Sequence, residues 1–247
     1  MSCNSTGRII DRAVKWDLGV NFSLNRSKVL VLSEDKDIFG GELDNTILKD
    51  QLNLMRVGEP MYVFYGYVED GYDENGHIVY KNMDDDPAIT AADKTIIGDP
   101  NPDFTASLNL SFRWKKLDAS IFLNGVFGND VLNTKTFGDP HNAALRWTPD
   151  NPTNKYPSLR DGRQTRFSDY WIEDGSFVRI QNLTVGYTFD LPKQKVFASK
   201  IRLYMNASNL YTFTKFDGYD PEVGQNGIYS GGYPRLRKWT VGLDITF

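Results

Sequence analysis

The clearest pattern along the chain is an alternation of apolar and polar residues with a period of two, which places successive side chains on opposite faces of a β-strand. In the last segment Trp239, Val241 and Leu243 share one face, while Thr240 and Gly242 share the other. The alternation recurs at least six times, over residues 16–24, 104–114, 117–127, 182–189, 201–213 and 239–247. We therefore predict an all-β fold.

The length of the predicted strands indicates whether the sheet lies in a membrane or in solution. Several run about ten residues or more, which suits a tilted membrane-spanning strand, whereas strands of globular proteins are most often about 5–6 residues long. Aromatic residues gather near the strand ends, as in the two interfacial girdles of a membrane barrel: Trp16, Phe104, Trp114, Phe127, Tyr187, Phe189, Tyr211, Phe213, Trp239 and Phe247. These features favour an antiparallel transmembrane β-barrel segment. A soluble, carbohydrate-binding β-sandwich module with an aromatic core is the alternative, because sandwich strands alternate too.

The connections between the predicted strands alternate in length. Lys115 and Lys116 form a tight turn and residues 190–200 a moderate link, while residues 128–176 and 215–238 are long and rich in Gly, Pro, Asn and Asp. Membrane barrels have short turns on the periplasmic side and longer loops outside. We therefore place Phe247, which ends the last strand, on the periplasmic side, and expect the long loops to carry ligand contacts.

Three further segments have strand character without a clear place in this pattern. Residues 61–68 form a seventh candidate strand that is aromatic on both faces. The runs 29–32 and 47–54 are strand-like but have no clear connection length. The sequence therefore predicts six or seven strands in the main sheet.

Composition and charge exclude several classes of protein. The net charge of −4 argues against a nucleic-acid partner, because phosphate binding needs an excess of Lys and Arg on one face. The apolar runs are far shorter than the roughly 18 residues of a transmembrane helix. Cys3 is the only cysteine, so an intrachain disulfide is excluded. Residues 1–7 lack the features of a secretory signal, so the membrane-barrel interpretation requires a truncated or split chain.

The chemistry of an enzyme is not apparent in the sequence. The chain has no GxSxG, HExxH or GxxxxGK[ST] motif. Only His77 and His141 can act as imidazole bases, and both lie among polar residues that are typical of solvated loops. We therefore assign no catalytic and no cofactor-binding residue and expect a protein that is not an enzyme.

One acidic segment has the spacing of a calcium loop. Between residues 82 and 93, oxygen ligands fall at Asn82, Asp84, Asp86 and Asp93, the first, third, fifth and twelfth positions of such a loop. Pro87 stands where the sharp turn favours Gly, and Asp93 is shorter than the usual bidentate Glu. A possible calcium site is therefore one interpretation of these four residues, and a solvated acidic loop is the other.

Several motifs together resemble one family, the SusC/RagA TonB-linked outer-membrane transporters of Bacteroidetes. The resemblance runs from about Trp16 to Phe247 and is quite specific as a set, although each motif alone is weak. The motifs are Val57-Gly58-Glu59-Pro60 with Phe64-Tyr65-Gly66-Tyr67, residues 97–104 (IGDPNPDF), residues 175–183 (GSFVRIQNL), residues 207–214 (ASNLYTFT), Gly218-Tyr219-Asp220-Pro221-Glu222 and the terminal Phe247.

The resemblance implies that residues 1–247 are the C-terminal part of a 22-stranded barrel whose plug, TonB-contacting segment and signal peptide lie outside this chain. It implies a place in the outer membrane and uptake of glycans or peptides together with a SusD-like surface lipoprotein, with TonB acting through the absent N-terminal part. Six loop aromatics would then stack on substrate, or else serve packing: Trp147, Tyr156, Tyr170, Trp171, Tyr229 and Tyr233. Phe247 resembles the signal read by barrel-assembly machinery, or is simply the last lipid-facing residue.

Overall fold

The computed structural model describes residues 1–11, 13–44, 49–134, 144–153, 156–158, 166–192 and 198–247. Strands make up nearly all of its regular structure, as the alternation predicts. Sixteen are described: β1 (Ser2–Asp11), β2 (Val14–Ser23), β3 (Ile38–Asp44), β4 (Lys49–Met55), β5 (Val63–Gly66), β6 (Glu69–Tyr72), β7 (Ile78–Tyr80), β8 (Thr95–Gly98), β9 (Phe104–Trp114), β10 (Leu117–Phe127), β11 (Asp130–Asn133), β12 (Ile172–Asp174), β13 (Phe177–Asp190), β14 (Lys200–Thr214), β15 (Ile228–Tyr229) and β16 (Lys238–Thr246). Within the described ranges, no helix is long and apolar enough to cross a membrane.

Seven of the strands form one antiparallel sheet, which we call the wall, in the order β1-β2-β9-β10-β13-β14-β16. Neighbours in the wall are neighbours along the chain, as in an up-and-down barrel. Six of these strands match the six predicted segments. Among the described strands, β1 and β16 each pair with one neighbour only, so this part of the chain is an open sheet.

The two faces of the wall differ in chemistry because directly paired residues of an antiparallel sheet share a face. On one face, apolar residues form rows across the strands, such as Leu203 opposite Leu243 and Met205 opposite Val241. Many of these side chains are exposed, including Val241 at 69% and Trp239 at 57%. A β-sandwich would bury this face against a second sheet, so the sandwich alternative is not supported, and the transmembrane barrel segment is.

The opposite face carries polar and small residues, and we call it the polar face. Ser120, Thr184, Asn206 and Thr240 lie in one row across β10, β13, β14 and β16. Asn206 Nδ2 donates to Thr184 Oγ1 at 2.8 Å, so neighbouring side chains satisfy one another without apolar packing. A surface of this kind suits a water-filled lumen.

The connections also follow the predicted alternation. At one end of the wall, two residues join β9 to β10, and residues 191–199 join β13 to β14. At the other end lie the three long segments 24–103, 128–176 and 215–237, which we call the loop head. The loop head contains the three small sheets β3-β4-β5-β8, β12-β11-β15 and β6-β7.

The structure also places the three segments whose role the sequence left open. The predicted seventh strand at 61–68 is shorter, as β5, and it lies in the loop head and not in the wall. Residues 47–54 overlap β4, next to β5, while residues 29–32 lie outside the strands. The seventh wall strand is instead β1, which the sequence did not predict.

Candidate functional site

An ion cluster ties three strands together on the polar face. Arg202 on β14 binds Asp118 on β10 at 2.7 Å and Asp244 on β16 at 3.0 Å. The guanidinium also lies 4.8 Å from the centre of the Tyr204 ring. Gly186, on the strand between, leaves the space that the guanidinium occupies, since a Cβ there would lie 2.7 Å from it. The cation is thus paired within the wall.

A second cluster joins the polar face to the loop head. Arg179, near the start of β13, is only 4% exposed at its side chain. Its guanidinium donates to Asp220 and Glu222, each at 2.7 Å, and its Nε donates to Thr212 Oγ1 at 2.9 Å. Arg235 binds the same two carboxylates at 2.8 and 2.9 Å. We call these four charged residues the loop-anchor cluster.

The loop-anchor cluster explains two of the sequence motifs that suggested the family. Asp220 and Glu222 belong to the Gly218–Glu222 motif, and Arg179 belongs to the motif at 175–183. Sequence reasoning missed their contact because the residues are about 40 positions apart. A cation at a polar-face position of β13 was the signal that a carboxylate partner is required, since a buried charge needs pairing.

The predicted calcium loop folds into successive turns stabilised by its own side chains. Asn82 Oδ1 accepts from the backbone N–H of Asp84 at 3.1 Å, and Asp84 Oδ1 from that of Asp86 at 2.9 Å. Asp86 Oδ1 accepts in turn from the backbone N–H of Ala88 at 3.0 Å. Acidic and amide residues at every second position, which suggested cation ligands, therefore also stabilise a series of consecutive turns.

Asp93, the last predicted ligand, is buried and closes the loop. Its two carboxylate oxygens accept from the backbone N–H groups of Met83 and Thr90, each at 2.7 Å. These hydrogen bonds lower the pKa of Asp93 below its usual range, against the opposing effect of burial. Among the described residues, no group of three or more His, Cys, Asp or Glu side chains is placed to hold one metal ion. Oxygen donors suit a hard cation, so calcium at residues 82–93 stays a prediction.

Four of the six aromatics predicted to contact substrate form a connected series: Trp147, Tyr156, Tyr170 and Trp171. Trp171 is buried in a core of the loop head with Phe64 and Phe167, and Tyr170 packs edge-on against it at 4.6 Å. Burial, followed by the charge of Glu69, raises the pKa of Tyr170 to about 12. These two residues have packing roles in the loop head.

Of the other four aromatics, Tyr156 lies within electrostatic range of Tyr170, while Tyr229 belongs to a second buried cluster. Tyr229 is buried beside Phe216, with ring centres 5.1 Å apart. Trp147 is half-buried against the turn at Gly76, and its backbone N–H donates to the carbonyl of Tyr156. Tyr233 is fully exposed, at 100%. Substrate contact by the set stays a prediction, and Tyr233 is the member most open to a ligand.

His77 differs from the solvated histidine that the sequence suggested. Its side chain is 13% exposed and its Nδ1 lies 3.0 Å from Asp73 Oδ2, in the turn between β6 and β7. The backbone N–H of His77 also donates to Asp73 Oδ1, and these hydrogen bonds lower the pKa of Asp73 to about 2. His77 thus stabilises a turn, while His141 lies outside the described residues.

Phe247 follows β16 at the end of the wall where the connections are short. Its side chain is 80% exposed, and Ser199 Oγ donates to its carbonyl at 3.4 Å. The position agrees with placing Phe247 at the short-turn end. Its role as an assembly signal stays a prediction.

A wall with one apolar and one polar face, and with all its long segments at one end, defines a part of an outer-membrane β-barrel. No family model matches the chain. The chain is 30% identical, over 97% of its length, to TonB-dependent receptor P3 of Formosa agariphila, of which it covers 27%. It is 27% identical, also over 97% of its length, to TonB-dependent receptor SusC of Bacteroides thetaiotaomicron, of which it covers 25%. A solved structure of the RagAB peptide transporter has the same fold, with a TM-score of 0.79 and 24% identity over 98% of this chain and 28% of that one.

The chain is a homologue of the TonB-dependent receptors of the SusC/RagA kind, as the motifs predicted. It spans about a quarter of the length of the curated relatives that it matches. Those relatives are receptors of transport systems and not enzymes, which agrees with the expectation for this chain, and the predicted outer-membrane location is confirmed.

Proposed function

We propose that residues 1–247 form the C-terminal part of the barrel of a TonB-dependent transporter that takes up glycans or peptides across the outer membrane. The observation that carries the proposal is the wall itself, whose apolar face suits lipid and whose polar face suits a lumen. The plug and the segment that contacts TonB would lie outside this chain. TonB would act through that N-terminal part.

In this proposal the loop head faces outward and the short turns face the periplasm. All three long segments lie at the same end of the wall, as they do on the outer side of membrane barrels. A SusD-like lipoprotein would close over the loop head. Substrate would contact loop aromatics, first of all Tyr233, whose fully exposed ring can stack on a sugar face or pack on a peptide side chain.

The polar face supports a substrate that is bound by hydrogen bonds. Two of its cations, Arg179 and Arg202, are bound to carboxylates of the same chain, while Lys15 and Arg113 lie on the same face near its short-turn end. Rows of Asn, Ser and Thr side chains supply both hydrogen-bond donors and hydrogen-bond acceptors. Glycans and peptide backbones both match such a surface, and RagAB, which shares the fold, is a peptide transporter.

Labelling of single cysteines in intact cells tests the proposed orientation. The receptor containing this chain would carry Cys3→Ser, so that Tyr233→Cys and Lys116→Cys can be compared one at a time. We expect a membrane-impermeant maleimide to label position 233 in intact cells, and position 116 only after the outer membrane is permeabilised. Labelling of 116 but not 233 in intact cells would reverse the orientation, and recovery of the protein as a soluble periplasmic species would end the proposal.

Uptake assays separate the two substrate classes. Cells with the intact receptor or with Tyr233→Ala would be given labelled oligosaccharides and labelled oligopeptides. We expect Tyr233→Ala to reduce uptake of one class severalfold while surface levels of the receptor stay the same. The class that is affected identifies the substrate, and unchanged uptake of both would remove Tyr233 from the substrate path.

A further inference from the structure

A cavity of about 400 Å³ lies where the polar face of the wall meets the loop head. Val126 near the end of β10 and Phe177 at the start of β13 line it from the wall, and these two residues pair with each other on the polar face. Segments of the loop head line the rest, among them residues 61–62, 100–102 and 221–225. The volume lies within the range of about 300–1,000 Å³ that is usual for ligand pockets.

The wall contributes apolar side chains to this cavity, although its polar face is otherwise hydrophilic. Val126 interrupts the alternation of β10, in which Ser120 and Asn124 lie on the same face. Prolines, aromatic residues and aliphatic residues make up more than half of the lining. The cavity therefore offers room for an apolar group beside a surface that binds by hydrogen bonds.

Tyr62 lines the cavity in a strained backbone conformation. Its φ is 65°, in the left-handed region that a tyrosine rarely adopts. Asn53 fixes this turn, since its Nδ2 donates to the carbonyls of Tyr62 at 2.7 Å and of Asn226 at 3.1 Å. Asn101 Nδ2 donates to the neighbouring carbonyl of Met61 at 2.8 Å. Strain of this kind persists only where surrounding contacts impose it, and it is concentrated at functional sites such as ligand clamps.

The polar groups around the cavity suit a neutral ligand that donates hydrogen bonds. Within the described part of the chain, Glu222 is the only charged residue of the lining, and its Oε2 is already bound to Arg179 and Arg235. Asn129 also lines the cavity and is 7% exposed, and among the described residues its Oδ1 accepts no hydrogen bond. An N–H group of a ligand would satisfy this oxygen. The exposed amide of Gln225 offers a further donor and acceptor at the cavity.

We propose that this cavity binds an apolar side chain of a peptide substrate and that its polar groups bind the adjoining peptide backbone. A peptide residue combines an apolar side chain with one N–H donor, which matches a mostly apolar cavity with one unsatisfied acceptor. A sugar ring carries several hydroxyl groups, and burying hydroxyls without partners in such a lining is unfavourable. The inference rests on the proposed function and names its substrate class, which is peptides that carry a large apolar residue.

Binding of short peptides to the receptor that contains this chain, purified in detergent, tests the proposal. The probes are neutral hexapeptides with blocked ends, in which one Leu is placed at successive positions in a background of Gly and Ser. The comparison peptide has Ser in place of Leu. We expect calorimetry to show about tenfold to hundredfold tighter binding of the best Leu peptide, the scale of burying one large apolar side chain. A neutral maltooligosaccharide should not compete.

Replacing Tyr62 by glycine separates a binding role from a structural role. Glycine adopts a positive φ without strain, so Tyr62→Gly should keep or raise the unfolding temperature while it lowers the preference for the Leu peptide about tenfold. Lys115→Gly is the matched control, because Lys115 has a φ of 54° in the turn between β9 and β10, at the opposite end of the wall. This control should leave peptide binding unchanged.

A second variant, Val126→Trp, fills the cavity from the wall. It should abolish the preference for the Leu peptide, whereas Phe122→Trp, on the same face of β10 but outside the lining, should keep it. Equal binding of the Leu and Ser peptides, binding of neither, or a preference that persists in both cavity variants would overturn the proposal. So would competition by the oligosaccharide at a similar concentration.

The results for this cavity and for the transporter proposal can be told apart. Uptake of oligosaccharides alone, with outward labelling of position 233, would leave the transporter proposal standing and overturn this one. A preference for the Leu peptide in the purified receptor, together with recovery as a soluble periplasmic species, would end the transporter proposal and support the cavity as a peptide-binding site.

Discussion

Replacing Arg179 should release part of the loop head from the wall while the wall stays folded. In Arg179→Met the side chain keeps most of its apolar length, but the guanidinium contact with the Phe177 ring and the hydrogen bonds to Thr212, Asp220 and Glu222 are lost. Asp220 is 14% exposed, so its carboxylate cannot simply turn into water. The variant therefore removes the main buried partner of this carboxylate.

The free-energy cost of Arg179→Met depends on the contacts that Asp220 and Glu222 keep in the variant. Removing one partner of a buried ion pair typically costs about 3–5 kcal/mol. We expect the low end of this range because Arg235 still binds both carboxylates and Glu222 is 44% exposed. A cost of about 3 kcal/mol for local opening corresponds to about a hundredfold change in the opening equilibrium.

Amide hydrogen exchange measures this opening segment by segment. We expect exchange in residues 216–229 to rise by about a hundredfold in Arg179→Met, while exchange in the paired centres of β13 and β14 stays unchanged. Arg202→Met is the matched control, since it breaks the other ion cluster of the polar face and should leave residues 216–229 unaffected. Exchange within a few-fold of the parent in Arg179→Met, or an equal effect of Arg202→Met, would refute the anchoring role.

Two further predictions concern the carboxylates of the loop head. If residues 82–93 bind calcium, calorimetric titration of the parent protein should give a binding heat, and the double variant Asp84→Asn with Asp86→Asn should abolish it. The control variant Asp150→Asn, which changes an exposed acidic residue outside the loop, should keep that heat. Equal heats in all three proteins would end the calcium prediction. For the turn between β6 and β7, the pKa of Asp73 is lowered from 3.8 to about 2, so its contribution to stability is complete above about pH 4 and is lost as the pH falls toward 2. Exchange of the His77 amide should therefore rise over that pH interval, and Asp73→Asn should remove the pH dependence while raising exchange at neutral pH.

The wall was predictable from sequence because its two faces have different surroundings. Where one face of a strand meets lipid and the other does not, alternate positions must differ in polarity. Six strands show this alternation in the sequence. β1 does not carry it: Cys3, Ser5 and Gly7 lie on the apolar side, opposite Phe22, Val20 and Leu18 of β2. Backbone pairing with β2 forms this strand, and backbone pairing leaves no trace in residue type.

The loop head was not predictable for the opposite reason. In β5, successive residues Val63 and Phe64 point to opposite faces, yet both are buried. A strand buried on both sides has no alternation to detect, which is why residues 61–68 carry aromatic residues on both faces. The candidate substrate residues were also not separable by sequence. An aromatic loop residue has the same sequence context whether it packs inside the loop head or contacts a ligand. The fold shows that Trp171 and Tyr229 are buried and that Tyr233 is exposed.

The wall and the loop head are stabilised in different ways. This difference determines how far the ligand-binding residues of the loop head can change. The wall is held by backbone pairing along strands of nine to fifteen residues and by ion pairs on its polar face. The loop head has its own buried clusters around Phe64, Phe167 and Val131. Because few buried side chains are shared between the two, residues of the loop head can change with little cost to the wall, as is usual for loops on a rigid scaffold. The loop-anchor cluster is where the two parts meet, and a change there should therefore alter the position of the loop head before it alters the barrel.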